Sequence, residues 1–398
     1  MRGPRVDNGR LQEQQGCHDN QIRIGAGMMQ RYGGEELGDA PRIVVLGSCK
    51  VGNYVKSTPL LRGLRQRWPA ACIEFIGSEV TADFERACPW ISWRISWDQA
   101  GLEASAHLAH ALQERSHMVG PVDLAINLDG FNPVTQVLTA QLAPTWVAGG
   151  SLSANLRRDL PWGEAPHQRF LADPDWDRPE FLARYRDHFS SNYIAELFCR
   201  LACIRTDYAA IELPWEDPGF PVPEVLIHAT TARQAKIWPF RHWRTVVEHC
   251  SARGLRVGLV GSAPATQRSE YHSEGGEEAL LASTELIDLR GQTSLIQLAG
   301  ACRQARAVVS VDAGPLHIAA AVGTPTLAVV GNDAQGDGAS PIRLWLPRVD
   351  NLERTMSEHR CTLCADNRFR NDACLVDGHP CMQQVSPQQV IDWLDQRT

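Results

Sequence analysis

Residues 308–325, VVSVDAGPLHIAAAVGTP, decide how the rest of the chain is read. The apolar, largely β-branched run that ends at Asp312 reads as a buried strand. Gly314 then allows a tight turn, Pro315 suits the first position of a helix, and His317 falls in that helix's first turn. A strand that passes through such a turn into a helix aims backbone N–H groups and the positive end of the helix dipole at one point. That geometry suits a phosphate, and the pyrophosphate of a nucleotide would fit it. A plain strand-to-helix turn with Asp312 as the cap reads the same way from these residues alone.

The same alternation extends to both sides. Around this segment, Val225 to Ala229, Leu255 to Gly261, Leu286 to Leu289 and Thr326 to Gly331 read as strands, with helices over Phe240 to Arg253 and Ser294 to Ala305. Nearer the N-terminus, strands over Ile43 to Gly47, Ala71 to Gly77, Trp93 to Trp97 and Val122 to Leu128 are separated by helices over Pro59 to Trp68, Thr81 to Cys88 and Gly101 to His117. A further helix covers Pro133 to Leu142. Strands joined by helical segments of this length imply crossover units and parallel sheets covered on both faces. The expected fold class is therefore α/β, with two tandem Rossmann-like halves facing a cleft in which ligands bind at the carboxyl ends of the strands.

Three stretches fall outside this rhythm. Residues 1–40 are polar and Gly-rich and are expected to form a mobile extension, with the Met28-Met29 pair able to serve as an alternative start. Residues 150–222 hold clustered prolines and aromatics around one expected helix, Phe181 to Arg205, and are longer than an ordinary connection. Residues 386–398 read as a last helix capped by Ser386. The expected domains are thus 41–222, including the 150–222 insertion, and 223–385.

The chain has 398 residues, 43% of them hydrophobic, and a formal net charge of -7. That length suggests two or three domains with real cores and excludes fibrous and wholly disordered classes. The acidic balance argues against nucleic-acid partners, which require Lys and Arg to neutralise phosphates. No run of about 18 apolar residues and no secretory signal is evident, so a soluble, cytoplasmic chain with at most peripheral membrane contact is expected.

Four of the twelve cysteines are grouped as Cys361-x2-Cys364-x9-Cys374-x6-Cys381. A Cys-x2-Cys knuckle turns two sulfurs toward one ion, and two later thiols can complete a tetrahedron. The spacing suits a structural zinc or iron; disulfides and free thiols are the other readings. A metal held by four thiolates has no open position for substrate and would pin the loop without taking part in catalysis.

Four segments together carry a resemblance. The Asp312-x-Gly314-Pro315-x-His317 run, the Gly52-Asn53 to Arg65 segment, Asp123 to Gly130, and Lys236-Ile-Trp238-Pro239 match in order and spacing the ADP-heptose heptosyltransferase family, glycosyltransferase family 9, which has the GT-B fold. The resemblance implies an N-terminal acceptor-side domain and a C-terminal nucleotide-sugar domain. It further implies inverting transfer from a nucleotide diphosphate sugar, ADP-heptose-like, to a glycan, glycolipid or protein acceptor in envelope polysaccharide assembly, with no cofactor for catalysis. Lys236 and the turn formed by Ala313, Gly314, Pro315 and Leu316 would meet the charge of the leaving diphosphate, with Asp312 and His317 beside them. Some heptosyltransferases that modify protein acceptors carry a cysteine-bound iron near the position of the cysteine cluster.

Two departures from the family pattern bear on mechanism. Family members carry Gly-Asp in the first loop, and that Asp is the expected base. This chain has Gly52-Asn53, and an amide cannot take a proton near neutral pH. Asp129, at the end of the Val122 to Leu128 strand, is the substitute by position, although it also reads as a turn residue before Gly130. Where members place a carboxylate for the donor ribose, this chain has Ala263-Pro-Ala-Thr266-Gln267, so Thr266 or Gln267 would take that role.

Overall fold

The computed structural model describes residues 29–99, 104–164, 169–170, 172–173, 175, 178–273, 275–331, 344–367 and 370–398. Two all-parallel sheets account for the strands. The first contains β1 (Gln30–Arg31), β2 (Arg42–Leu46), β3 (Cys72–Gly77), β4 (Trp93–Ser96), β5 (Leu124–Asn127) and β6 (Trp146–Gly149), in the order β1-β6-β5-β2-β3-β4. The second contains β7 (Val225–His228), β8 (Val257–Leu259), β9 (Ile287–Asp288), β10 (Ala307–Val311), β11 (Thr326–Val329) and β12 (Leu352–Thr355), in the order β12-β11-β10-β7-β8-β9. Five strands follow the same order in both, the sixth being the first strand of its half, β1, in one sheet and the last, β12, in the other; each order reverses direction at a switch point, between β2 and β5 in one and between β7 and β10 in the other. Ligands of open α/β sheets bind at that point, beyond the carboxyl ends of the strands.

The first half carries helices α1 (Val51–Arg67), α2 (Ala82–Ala87), α3 (Ala104–Val119), α4 (Pro133–Gln141), α5 (Pro179–Arg184) and α6 (Ile194–Leu201). The second carries α7 (Phe240–Ala252), α8 (Pro264–Glu270), α9 (Gly276–Ser283), α10 (Leu295–Gln304), α11 (Gly314–Ala321), α12 (Leu363–Asp366), α13 (Pro380–Gln383) and α14 (Pro387–Asp395). Central strands such as Ile43–Leu46 and Val308–Val311 are fully buried, as expected of parallel strands covered on both faces.

Several expectations are corrected by local chemistry. Helix α1 begins at Val51, not at Pro59. Proline removes the bond that would reach the Val55 carbonyl, and the Thr58 hydroxyl supplies it instead at 2.8 Å, so the helix runs through. The single helix expected over Phe181 to Arg205 is two helices. The Glu196 carboxylate accepts from Ser190 N–H at 2.9 Å and from the hydroxyls of Ser190 and Ser191, each at 2.8 Å, which draws the chain out of helix before α6. The 1–40 extension is corrected at its end, where Gln30 and Arg31 pair with Trp146 and Val147 on the sheet edge and Tyr32 is buried; residues 1–28 lie outside the described residues. Arg31 also stacks 3.7 Å over the ring of Trp162 in the insertion, so that aromatic packs on the edge strand. Trp176, Asn332 and Asp333 lie outside the described residues.

Candidate active site

Asp312 follows β10 at the switch point of the second sheet, and α11 starts two residues later. Helix α1 starts at the matching place in the first sheet, a short loop beyond β2. The two helix starts abut. A Cβ on Gly314 would lie 3.3 Å from the Val51 Cβ, and one on Gly52 would lie 2.9 Å from the His317 ring. These glycines let the two halves approach within a distance that a side chain would block.

A chain of polar side chains crosses this contact. The Lys236 ammonium donates to Asp312 Oδ2 at 2.5 Å, His317 Nε2 lies 3.6 Å from Asp312 Oδ1, and Lys56 Nζ lies 3.0 Å from His317 Nδ1. Burial would raise the Asp312 carboxyl, but Lys236 and then His317 outweigh it and hold it well below the usual carboxylate range. Burial first, then Lys56, lower His317 to about 4 against the pull of Asp312. Burial lowers Lys56 to about 7, opposed by Asp312. His317 is therefore neutral at neutral pH. With Lys56 donating to Nδ1, its proton sits on Nε2, facing Asp312. Within the chain Lys236 is 26% exposed, whereas the side chains of Asp312 and His317 are each 7% exposed, so Lys236 is the member a ligand can reach.

Local structure holds Lys236 in place. It ends a short 3-10 turn, Gln234–Lys236, and two residues on the fully buried Trp238 anchors the chain by donating from Nε1 to the Val385 carbonyl at 2.9 Å and packing edge-on against Trp243. Pro315 has no N–H and the Leu316 N–H is bonded to the Ala313 carbonyl at 3.2 Å, so the donors the turn can offer are those of Ala313 and Gly314. The expectation that Pro315 and Leu316 would also donate is corrected on that ground.

The other expected site residues are placed as follows. Asn53 lies in the first turn of α1, half-buried. Asp129 follows β5, the strand beside β2, and its Oδ2 accepts from Asn132 Nδ2 at 3.0 Å where the chain enters α4. Thr266 is half-buried in the first turn of α8, beyond β8. Gln267 is withdrawn from any ribose, because its side-chain amide donates to Thr230 Oγ1 at 2.9 Å inside a buried cluster with Glu277. Lys56 was not singled out from sequence. Its signal was present all the same: a lysine one helical turn after Asn53, on the same face of α1, flanked by residues of an otherwise buried run.

Of the four clustered cysteines, Cys381 lies beyond the carboxyl end of β11, where a Cβ on Gly331 would be 3.0 Å from its sulfur. A ring nitrogen of His379 and the sulfurs of Cys374 and Cys381 lie within 4.8 Å of one another. Burial pushes the Cys381 thiol up to about 12, with Cys374, Cys364 and Cys361 adding to the effect in that order. Thiols so crowded cannot all ionise unless a cation sits among them, and the Val376 N–H already points to Cys374 Sγ at 3.5 Å. These donors fit a thiophilic metal ion, which would tie the loop to the sheet and need supply no chemistry to the substrate.

The profile of Glycosyltransferase family 9 (heptosyltransferase) matches residues 202–362. Lipopolysaccharide heptosyltransferase 1 of Escherichia coli O18:K1:H7 (strain RS218 / NMEC) is 24% identical over 310 residues, covering 73% of this chain and 86% of the relative. A glycosyl transferase family 9 structure from Veillonella parvula DSM 2008 superposes with a TM-score of 0.65 at 17% identity, covering 92% of this chain and 99% of that one. The dodecameric iron-containing heptosyltransferase TibC, in complex with ADP-D-beta-D-heptose, superposes with a TM-score of 0.54 at 16% identity, covering 91% and 77%. The two-sheet arrangement is the GT-B fold of these structures.

Proposed function

We propose that the chain is a member of glycosyltransferase family 9, the heptosyltransferase family that it is similar to, and that it transfers a heptose or related sugar from an ADP-heptose-like donor. The acceptor is a glycan, glycolipid or protein of envelope polysaccharide assembly, in keeping with the lipopolysaccharide heptosyltransferase it is similar to. The observation that carries this reading is the reachable Lys236 ammonium held by Asp312 at the start of α11. A diphosphate placed there meets one accessible positive charge, the N–H groups of Ala313 and Gly314, and the helix dipole, which together stabilise the charge that grows on the leaving group. Thr266, in the helix beyond β8, bonds the donor ribose in this reading.

Transfer proceeds with inversion: the acceptor oxygen attacks the anomeric carbon from the face opposite the leaving diphosphate, and a base takes its proton. Asp129 is that base, from its place at the carboxyl edge of β5 beside the loop that leads to Asn53. Asn53 positions the acceptor hydroxyl. Among the described residues no helix is long and apolar enough to cross a membrane, and the proposed place of action is the cytoplasmic face of the cell membrane with at most peripheral contact. Titration calorimetry with ADP tests the donor site: binding that weakens about tenfold or more in Lys236→Ala supports it, and binding unchanged by that substitution sinks it.

One observation favours a second reading. Asn53 stands where the family's base is expected, so a chain that binds nucleotide sugars without turning them over would look the same at this position. Turnover by Asn53→Asp far above that of the wild type would select the second reading.

A further inference from the structure

The loop that bears the cysteines is fastened to the segment that bears Lys236. Ala235 N–H donates to the Asp372 carbonyl at 2.8 Å, and Arg233 donates to the Asn371 carbonyl through Nε at 3.2 Å and Nη2 at 2.5 Å. Asn371 Nδ2 in turn donates to Cys364 Sγ at 3.3 Å and to the Ala373 carbonyl at 2.7 Å. The most direct link is His379, whose Nε2 lies 3.0 Å from the Ala235 carbonyl. A carbonyl can only accept, so Nε2 carries the proton and Nδ1 keeps its lone pair. His379 holds a left-handed backbone, φ 48°, which a non-glycine residue adopts at a cost and keeps only where its surroundings require it.

We propose that His379 is itself a metal ligand, sharing with Cys374 and Cys381 a zinc-type divalent ion whose remaining position a further thiol of the loop fills, and that its second nitrogen couples that ion to the placement of Lys236. A metal-bound imidazole whose other N–H is held by a backbone carbonyl is the usual way a protein fixes the orientation of such a ligand. Here the carbonyl belongs to the residue next to Lys236, so the same bond runs in reverse as a support for the donor lysine. A ring nitrogen of His379 and the sulfurs of Cys374 and Cys381 lie within 4.8 Å of one another. The coupling half of this inference rests on the reading of Lys236 as the donor lysine; the ligand half does not.

X-ray absorption on zinc-loaded wild-type protein tests the ligand set without any variant. The expected spectrum has one nitrogen at about 2.0–2.1 Å beside sulfurs at about 2.3 Å; sulfurs with no nitrogen overturn the assignment. His379→Ala is expected to lose the zinc that the wild type retains, and full retention by that variant overturns it equally. The coupling is read by ADP calorimetry, where His379→Gln, which can still donate to the Ala235 carbonyl but is a poor zinc ligand, and His379→Ala should both weaken ADP about tenfold. If Lys236→Ala weakens ADP while both His379 variants bind it as the wild type does, the coupling fails although the donor reading stands. If Lys236→Ala itself leaves ADP binding unchanged, the donor reading fails and the absorption result still decides the ligand set.

Discussion

Lys56 of the first half and His317 of the second, 261 residues apart in sequence, meet at 3.0 Å in a fully buried contact. After burial, Lys56 is the main influence lowering the readiness of His317 to hold a proton, and both side chains feel the charge of Asp312. Because the pair spans the two halves, its protonation is tied to how they fit together. Removing the Lys56 charge should therefore raise the His317 pKa from about 4 toward its ordinary value near 6.5. The imidazole resonances of wild type and Lys56→Met, followed by NMR across pH 3 to 8, check this; an unmoved titration contradicts it.

The same pair sets a pH dependence of stability. The Lys56 pKa is about 7 in the folded chain against 10.5 when exposed. Between those values the unfolded chain holds a proton that the folded chain does not, so stability rises with pH over that window. For His317 the window runs from about 4 to 6.5, with the same sign. Lys56→Met removes the upper contribution. Urea midpoints compared at pH 7 and pH 9.5 should rise more in the wild type than in the variant, and equal changes would tell against a buried neutral lysine.

Gly52→Ala tests the close approach of α1 and α11. In an exposed helix such a change is favourable by about 1 kcal/mol. Here the new methyl would sit 2.9 Å from a ring held on both sides, by Lys56 and Asp312, so the sign reverses. The expected outcome is a loss of about 1–3 kcal/mol of stability by chemical denaturation, accompanied by weaker ADP binding.

Asp129→Asn is expected to lower kcat about a hundredfold or more, the scale of a lost general base, while ADP affinity stays within about twofold. Asn53→Asp is expected to change kcat by less than about threefold. Steady-state nucleotide release separates these outcomes, and a large gain in Asn53→Asp would instead identify a missing base.

Much of the two-sheet plan could be read from the chain, because buried parallel strands such as Val308–Val311 and the turn that follows them have strong local signatures. Of the four edge strands, β4 and β9 were read from the chain, whereas β1 and β12 did not announce themselves; what defines those two is pairing with Trp146–Val147 and with Thr326–Val329. The start of α1 was hidden by Pro59, whose usual place at a helix start is overridden by one threonine hydroxyl. At the site, Lys236, Asp312 and His317 were legible as motif residues, and the structure joins them. Lys56 carried only a weak signal, its place one helical turn after Asn53, and His379 none, since what each does is set by partners 261 and 144 positions away.

The most direct test of the account is the release of ADP from ADP-heptose by the purified, metal-replete chain, measured with and without a lipopolysaccharide inner-core acceptor. The account predicts release that depends on the acceptor and is lost in Lys236→Ala. Release that proceeds equally without acceptor, or that survives the loss of Lys236, would contradict it.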